Sequence, residues 1–180
     1  MRLPAGLCRS AVLYGCRMSS TINVLFLCTG NSARSIFAEA VLRHRGAPEF
    51  QAFSAGSHPR GAVRPQALLQ LASASLPTEG LRSKSWDEFR KPGAPQMNFI
   101  ITLCDISARE VCPVWPGHPV MAHWGIPDPA AVTGSPEEGG RAFRDAYFTV
   151  ERRIELFLSL PHASLDALQL KSRVDEIGRG

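Results

Sequence analysis

Residues 22–27 (INVLFL) form a short, mostly apolar run that stops at a small, polar stretch, Cys28-Thr29-Gly30-Asn31-Ser32. Such a run predicts a strand covered on both faces, as in parallel sheets. A helical pattern follows at once: Ala33, Ile36, Phe37, Ala40 and Val41 recur at helical spacing, and Glu39 stands four residues before Arg43, the spacing of a helix-surface pair. Strand and helix then alternate. A second strand is expected at 50–54, ended by Ala55-Gly56, and a second helix begins at Pro65 with Leu68, Leu71 and Ala72 on one face. After a Pro- and Gly-bearing loop at 91–95 come a buried strand at 98–103 and another at 120–124, which leads into Gly125-Ile126-Pro127-Asp128-Pro129. The last long helix announces its start with Ser135 as N-cap, Pro136 in the first helical position and Glu138 closing a capping box. Its apolar stripe is Ala142, Phe143, Ala146, Val150, Ile154, Phe157 and Leu158, and the Gly139-Gly140 pair weakens its first turn. This alternation implies a parallel α/β sandwich, in which ligands collect beyond the carboxyl ends of the strands.

Composition narrows the partners. With 180 residues and 44% apolar content the chain can bury one sizeable core. The net charge of +4 includes Arg2, Arg9 and Arg17 of an acid-free first twenty residues, so residues 21–180 carry only +1. A nearly neutral body argues against nucleic-acid or acidic-membrane partners, which need basic residues clustered on the folded surface. No segment reaches the roughly 18 consecutive apolar residues of a membrane-spanning helix. The apolar run 11–14 is too short for a secretory signal. Residues 1–20 therefore read as a disordered or non-native extension, 21–160 as the main folded domain, and 161–180 as a partly helical tail. Within the domain stand Cys28, Cys104 and Cys112, an odd set that fits thiols in a reducing cytoplasm better than a disulfide framework.

The loop after the first strand carries the chemistry. In Cys28-Thr29-Gly30-Asn31-Ser32-Ala33-Arg34-Ser35, five residues separate the cysteine from the arginine, and a helix starts beside the arginine. Converging backbone N–H groups and the positive end of the helix make a cradle for a tetrahedral oxyanion, and the same amides stabilise a thiolate sulfur. Arg34 adds a forked, permanent cation. Ser35 can donate to the sulfur and Asn31 can pin the loop. The oxyanion contacts are thus expected from Thr29, Gly30, Asn31, Ser32, Ala33, Arg34 and Ser35. A nucleotide-binding phosphate loop is excluded, because no Lys-Ser/Thr follows a glycine here and no Gly-x-Gly-x-x-Gly opens the helix.

The stretch VLFLCTGNSARS, together with FSAGSHPRG, LRSKSWDEF, FIITLCD, CPVWPG and HWGIPDPAAVTGSPEE, resembles the low-molecular-weight tyrosine phosphatase superfamily, and specifically its arsenate reductase branch. The likeness runs from about Thr21 to Leu160. It implies a four-stranded parallel sheet flanked by helices, Cys28 as nucleophile, Arg34 as the oxyanion-binding arginine, Asn31 and Ser35 as loop-shaping residues, and Asp128 as the general acid of phosphatase members. It also implies arsenate reduction, in which a second thiol attacks the arseno-cysteine. Cys104 would resolve the adduct, Cys112 would relay the disulfide, and thioredoxin or a small thiol would be the external reductant. A monomer acting on arsenate or a phosphate-type oxyanion, with no bound cofactor, is the expected form.

Several readings compete. Phosphatase members carry a second cysteine in the loop and aromatic residues after the acid; here those places hold Ala33 and Ala130-Ala131, which leaves Trp124 or Trp115 to stack on a substrate ring. Asp128 also reads as a simple Asp-Pro turn former. Some members bind potassium beside the loop; Asn31, Glu39 and Ser54 match three ligands, and no acid supplies a fourth. Arg60 and Arg64 read as residues of a solvated turn. Cys104, Cys112, His118 and His123 offer the donor types of a zinc-stabilised binding module, although without a tight zinc knuckle. An idle oxyanion sensor is the other non-enzymatic reading.

Overall fold

Strand β1, Ile22–Cys28, runs through the middle of the sheet with its side chains buried on alternate faces: Val24 and Phe26 on one, Leu25 and Leu27 on the other. The computed structural model describes residues 21–104 and 114–180. Helix α1 (Arg34–Arg45) follows, then β2 (Phe50–Gly56), α2 (Pro65–Ser73), a 3-10 helix (Trp86–Arg90), β3 (Phe99–Thr102), β4 (Val120–His123), a second 3-10 turn (Pro129–Ala131), α3 (Pro136–Leu158) and α4 (Ala167–Arg179). All pairings are parallel and the strand order is β2-β1-β3-β4.

Three layers result. The Val24/Phe26 face, extended by Phe99 and Ile101, is covered by the four α-helices of the described residues. The Leu25/Leu27 face, extended by Ile100, is covered among the described residues by Met97, Trp115 and the 3-10 helix side chains Trp86 and Phe89. Phe157 of α3 sits at the centre of the helical layer, edge-on to Phe50, Phe99 and Trp124. Burying such a ring contributes about 1.5–3 kcal/mol.

Helix α3 starts as expected: the Ser135 hydroxyl accepts from the Glu138 N–H at 3.3 Å, and the Glu138 carboxylate accepts from the Ser135 N–H at 2.7 Å. Its buried face keeps Phe143, Ala146, Val150, Ile154 and Phe157 but also takes in Tyr147 and Arg153, whereas Ala142 and Leu158 are only half-buried. Arg153 is tolerated there because its guanidinium donates to the Gly125 carbonyl at 3.1 Å and the Gly178 carbonyl at 3.0 Å. The segment expected as a partly helical tail supplies α4, which docks on β4 and adds Val174 and Ile177 to the core.

Two sequence expectations are corrected here. Glu39 is not on the helix surface: α1 is buried along residues 35–42, and Glu39 is only 2% exposed. Trp124 and Trp115 do not reach the site either. Trp124 lies wholly inside the core with its indole N–H on the Val174 carbonyl, and Trp115 is packed on the opposite face of the sheet.

The order β2-β1-β3-β4 sends the chain from β1 to one side through α1 and later to the other side into β3. The crevice at the carboxyl end of β1 is the switch point where such sheets bind ligands. Cys28 is the last residue of β1, opposite Gly56 of β2.

Candidate active site

From Thr29 to Ala33 the chain turns from β1 into α1, with Asn31 in the left-handed region at φ 42°. Asparagine accepts that conformation more readily than most residues. Three backbone hydrogen bonds from the next loop tie the turn down: the N–H groups of His58, Arg60 and Arg64 donate to the carbonyls of Thr29, Gly30 and Ser32 at 2.9, 3.0 and 3.0 Å. Gly56 permits this close approach, since a Cβ there would lie 2.5 Å from the Thr29 carbonyl oxygen. Helix α1 opens at Arg34 without a side-chain cap, so its first amides have no side-chain partner at the loop.

The Cys28 sulfur is held at the base of the turn. It accepts from the Asn31 N–H at 3.2 Å and lies 3.0 Å from the Ser35 hydroxyl. The Asn31 amide donates to Ser35 Oγ at 2.9 Å and to Ser54 Oγ at 2.8 Å, while its oxygen accepts from the Lys84 N–H at 2.8 Å. With Ser35 Oγ accepting from Asn31, the Ser35 hydroxyl proton is left to point at the sulfur.

Beside the sulfur is a cavity of about 340 Å³, lined by Cys28, Thr29, Gly30, Ser32, Ala33, Arg34 and Asp128, with Asn31 of the same loop buried. Its other wall is basic: His58, Arg60 and Arg64 line it, so the two arginines are site residues rather than parts of a remote solvated turn. The Arg34 guanidinium donates to the Ile126 carbonyl at 2.9 Å and stands 3.3 Å from the Asp128 carboxylate. Asp128 is 42% exposed on its side chain and also caps the 3-10 turn, accepting from the Ala130 N–H at 3.1 Å. Asp128 is thus a turn former that also lines the cavity beside Arg34. Cys104 is buried one residue beyond Leu103, and its sulfur lies 3.3 Å from the Thr29 hydroxyl. The structure thus gathers Cys28, the loop, Arg34, Asp128 and Cys104 at one end of the sheet. Cys112 lies outside the described residues.

Lys84, Glu39 and the 58–64 loop lie in stretches the sequence reading quotes or weighs, but their place at the site is not read from them. One signal points to Glu39: it sits four residues after Ser35, hence on the same helix face. Lys84 is 7% exposed, and its ammonium is 3.2 Å from Glu39 Oε2, 3.5 Å from Ser54 Oγ and 3.2 Å from the Arg82 carbonyl. Burial pushes this lysine below its ordinary range, and the Glu39 carboxylate opposes that shift. The potassium expectation is corrected by the same geometry: the presumed ligands Glu39 and Ser54 converge on an ammonium group. Among the described residues no group of three His, Cys, Asp or Glu side chains is placed to hold a metal ion; Cys112 of the zinc reading lies outside them. His123 has its Nδ1 2.9 Å from the Thr102 hydroxyl.

The fold and this loop define an α/β protein with a cysteine-centred oxyanion cradle at the sheet's switch point. The chain belongs to the family described as low molecular weight phosphotyrosine protein phosphatase, whose profile matches residues 23–171. An arsenate reductase of Oceanobacillus iheyensis is 31% identical over 134 residues, covering 74% of this chain and 93% of that protein. The solved structure of an arsenate reductase from Archaeoglobus fulgidus is 26% identical with a TM-score of 0.60, over 76% of this chain and 99% of that one. A thioredoxin-dependent arsenate reductase of Corynebacterium glutamicum shares the fold at 22% identity and TM-score 0.52, over 77% of this chain and 64% of that one.

Proposed function

We propose that the protein is an arsenate reductase. The observation that carries this reading is the placement of a second buried thiol, Cys104, beside Thr29 of the loop that holds Cys28. A hydrolase needs only water after the first step, whereas a reductase needs a thiol at that place.

The reaction follows from the geometry. Arsenate enters the cradle with its oxygens on the loop amides and the Arg34 guanidinium. The Cys28 thiolate attacks arsenic(V), an As–S bond forms, and one oxygen leaves as water after Asp128, paired to Arg34 at the mouth of the cavity, delivers a proton. The Cys104 thiolate then attacks the Cys28 sulfur. The S–S bond forms, the As–S bond breaks with its electron pair left on arsenic, and arsenite, now arsenic(III), departs. Cys112 takes over the disulfide and passes it to thioredoxin, which regenerates the dithiol by exchange in the cytoplasm.

Hydrolysis of aryl phosphates is the weaker reading, because among the described residues no Phe, Tyr or Trp lines the cavity and the two tryptophans that would substitute are buried elsewhere. A side-by-side assay separates them: arsenite release with thioredoxin or with glutathione, against hydrolysis of an aryl phosphate. The expected result is arsenate turnover that Cys28→Ser abolishes and Cys104→Ser removes. Strong hydrolysis unchanged by Cys104→Ser, with no arsenite, would overturn the assignment. Among the described residues no helix is long and apolar enough to cross a membrane.

A further inference from the structure

A chain of buried hydrogen bonds connects the Lys84 ammonium with the Cys28 sulfur, and the direction of each bond can be read. The Glu39 carboxylate only accepts, so Ser54 must donate its proton to it. Ser54 Oγ then accepts from the Asn31 amide, whose second N–H goes to Ser35 Oγ. The Ser35 proton is thereby directed to Cys28 Sγ. An acceptor-only group at the far end determines the sense of every bond up to the nucleophile. The exposed Arg43 also pairs with Glu39, through the other oxygen. The oxygen facing Ser54 is the one Lys84 contacts.

We propose that Lys84 is the built-in cation of the oxyanion loop: its ammonium holds the Glu39 carboxylate in place and so maintains the bond direction that turns the Ser35 hydroxyl onto the nucleophilic sulfur. Lys84 is a positioning residue, acting through Glu39, Ser54, Asn31 and Ser35. A lysine buried at this cost, spending its ammonium on one carboxylate, one hydroxyl and one carbonyl, is otherwise a poor way to stabilise a core, since an apolar replacement of such a pair is often neutral or better. Two consequences follow. The loop has no need of an added monovalent cation, and shortening Lys84 leaves a pocket walled by oxygen atoms that a small cation fits.

This rests on Cys28 being the nucleophile, but its test does not depend on arsenate chemistry. The rate of Cys28 alkylation by iodoacetamide is followed by peptide mass spectrometry on the full-length protein, with inorganic phosphate protection confirming the site. The wild-type rate is expected to be the same in sodium and potassium chloride. Lys84→Ala is expected to slow alkylation about five- to tenfold, the scale of one oriented hydrogen bond, and methylammonium or potassium is expected to restore it while tetramethylammonium does not. A wild-type rate in Lys84→Ala would overturn the proposal, as would a slow rate in a folded variant that neither cation corrects. Should Lys84→Ala not fold, the neutral double variant Glu39→Gln with Lys84→Met carries the test: slowed alkylation supports the proposal, and a wild-type rate overturns it.

Discussion

Asp128 illustrates how one side chain serves two neighbours. One oxygen caps the Pro129–Ala131 turn through the Ala130 N–H, and the other faces Arg34. Asp128→Asn keeps an oxygen for the cap but loses the transferable proton, so turnover is expected to fall about a hundredfold. The fold and the binding of phosphate as a competitor should survive; steady-state rates beside phosphate inhibition check the split between kcat and binding. Arg64 belongs to the same scale. It lines the cavity outside the Cys28–Ser35 loop, so Arg64→Gln is expected to raise KM for arsenate severalfold at nearly unchanged kcat. The loop proposed to hold the nucleophile was legible from its residues as a turn between β1 and α1, because cysteine, turn residues and arginine are consecutive. Lys84 was not, since its role depends on a contact across forty-five positions with Glu39.

At the scale of elements, the amphipathic patterns located β1, α1 and α3 well, and the capping box at Ser135 marked a helix start that Gly139-Gly140 does not undo. What the pattern missed is where tertiary contacts override it. Glu39 looked like a surface partner of Arg43 because the spacing was right, and only the covering of α1 on all sides puts it in the core. Helix α4 is the other case. A Cβ at Gly178 would meet the His123 carbonyl oxygen at 2.1 Å, so the glycine lets the end of α4 lie directly on β4. Gly178→Ala is expected to cost at least about 2 kcal/mol by forcing the helix off the strand, measured by urea unfolding; an unchanged midpoint would contradict this seam. His162, just after α3, links the helical layer to pH. Its Nε2 donates to the Phe157 carbonyl at 2.8 Å, and its Nδ1 is buried with no partner. Burial holds this imidazole below its ordinary 6.5. As pH falls through about 6.5 the unfolded chain takes up the proton before the folded one, so stability declines with acidification. His162→Phe, set among Phe50, Phe99 and Phe157, is expected to flatten that decline between about pH 7 and pH 5, whereas parallel curves would show that His162 does not contribute.

Over the whole molecule, the reversal in winding direction at β1 explains why the site lies at that strand's end and why Cys104, two strands later in the chain, returns to it. β3 pairs directly with β1, with Thr102 opposite Leu27, so the residues just past β3 emerge beside the loop. The alternation of strands and helices was enough to anticipate that edge. It could not show that the four α-helices of the described residues share one face, since a sequence pattern does not say which side a crossover takes. The net charge also sorts itself at this scale: the body is almost neutral, and its useful positive charge is gathered around one cavity as Arg34, Arg60, Arg64 and the start of α1. The central claim is that Cys104 completes a two-electron reduction begun at Cys28, and a single-turnover reaction tests it most directly. Fully reduced protein is mixed with arsenate without any external thiol, and arsenite and disulfide-linked peptides are quantified. A burst of arsenite stoichiometric with protein, accompanied by a disulfide containing Cys104 and absent in Cys104→Ser, is the predicted result; no burst, or an equal one in Cys104→Ser, would contradict it.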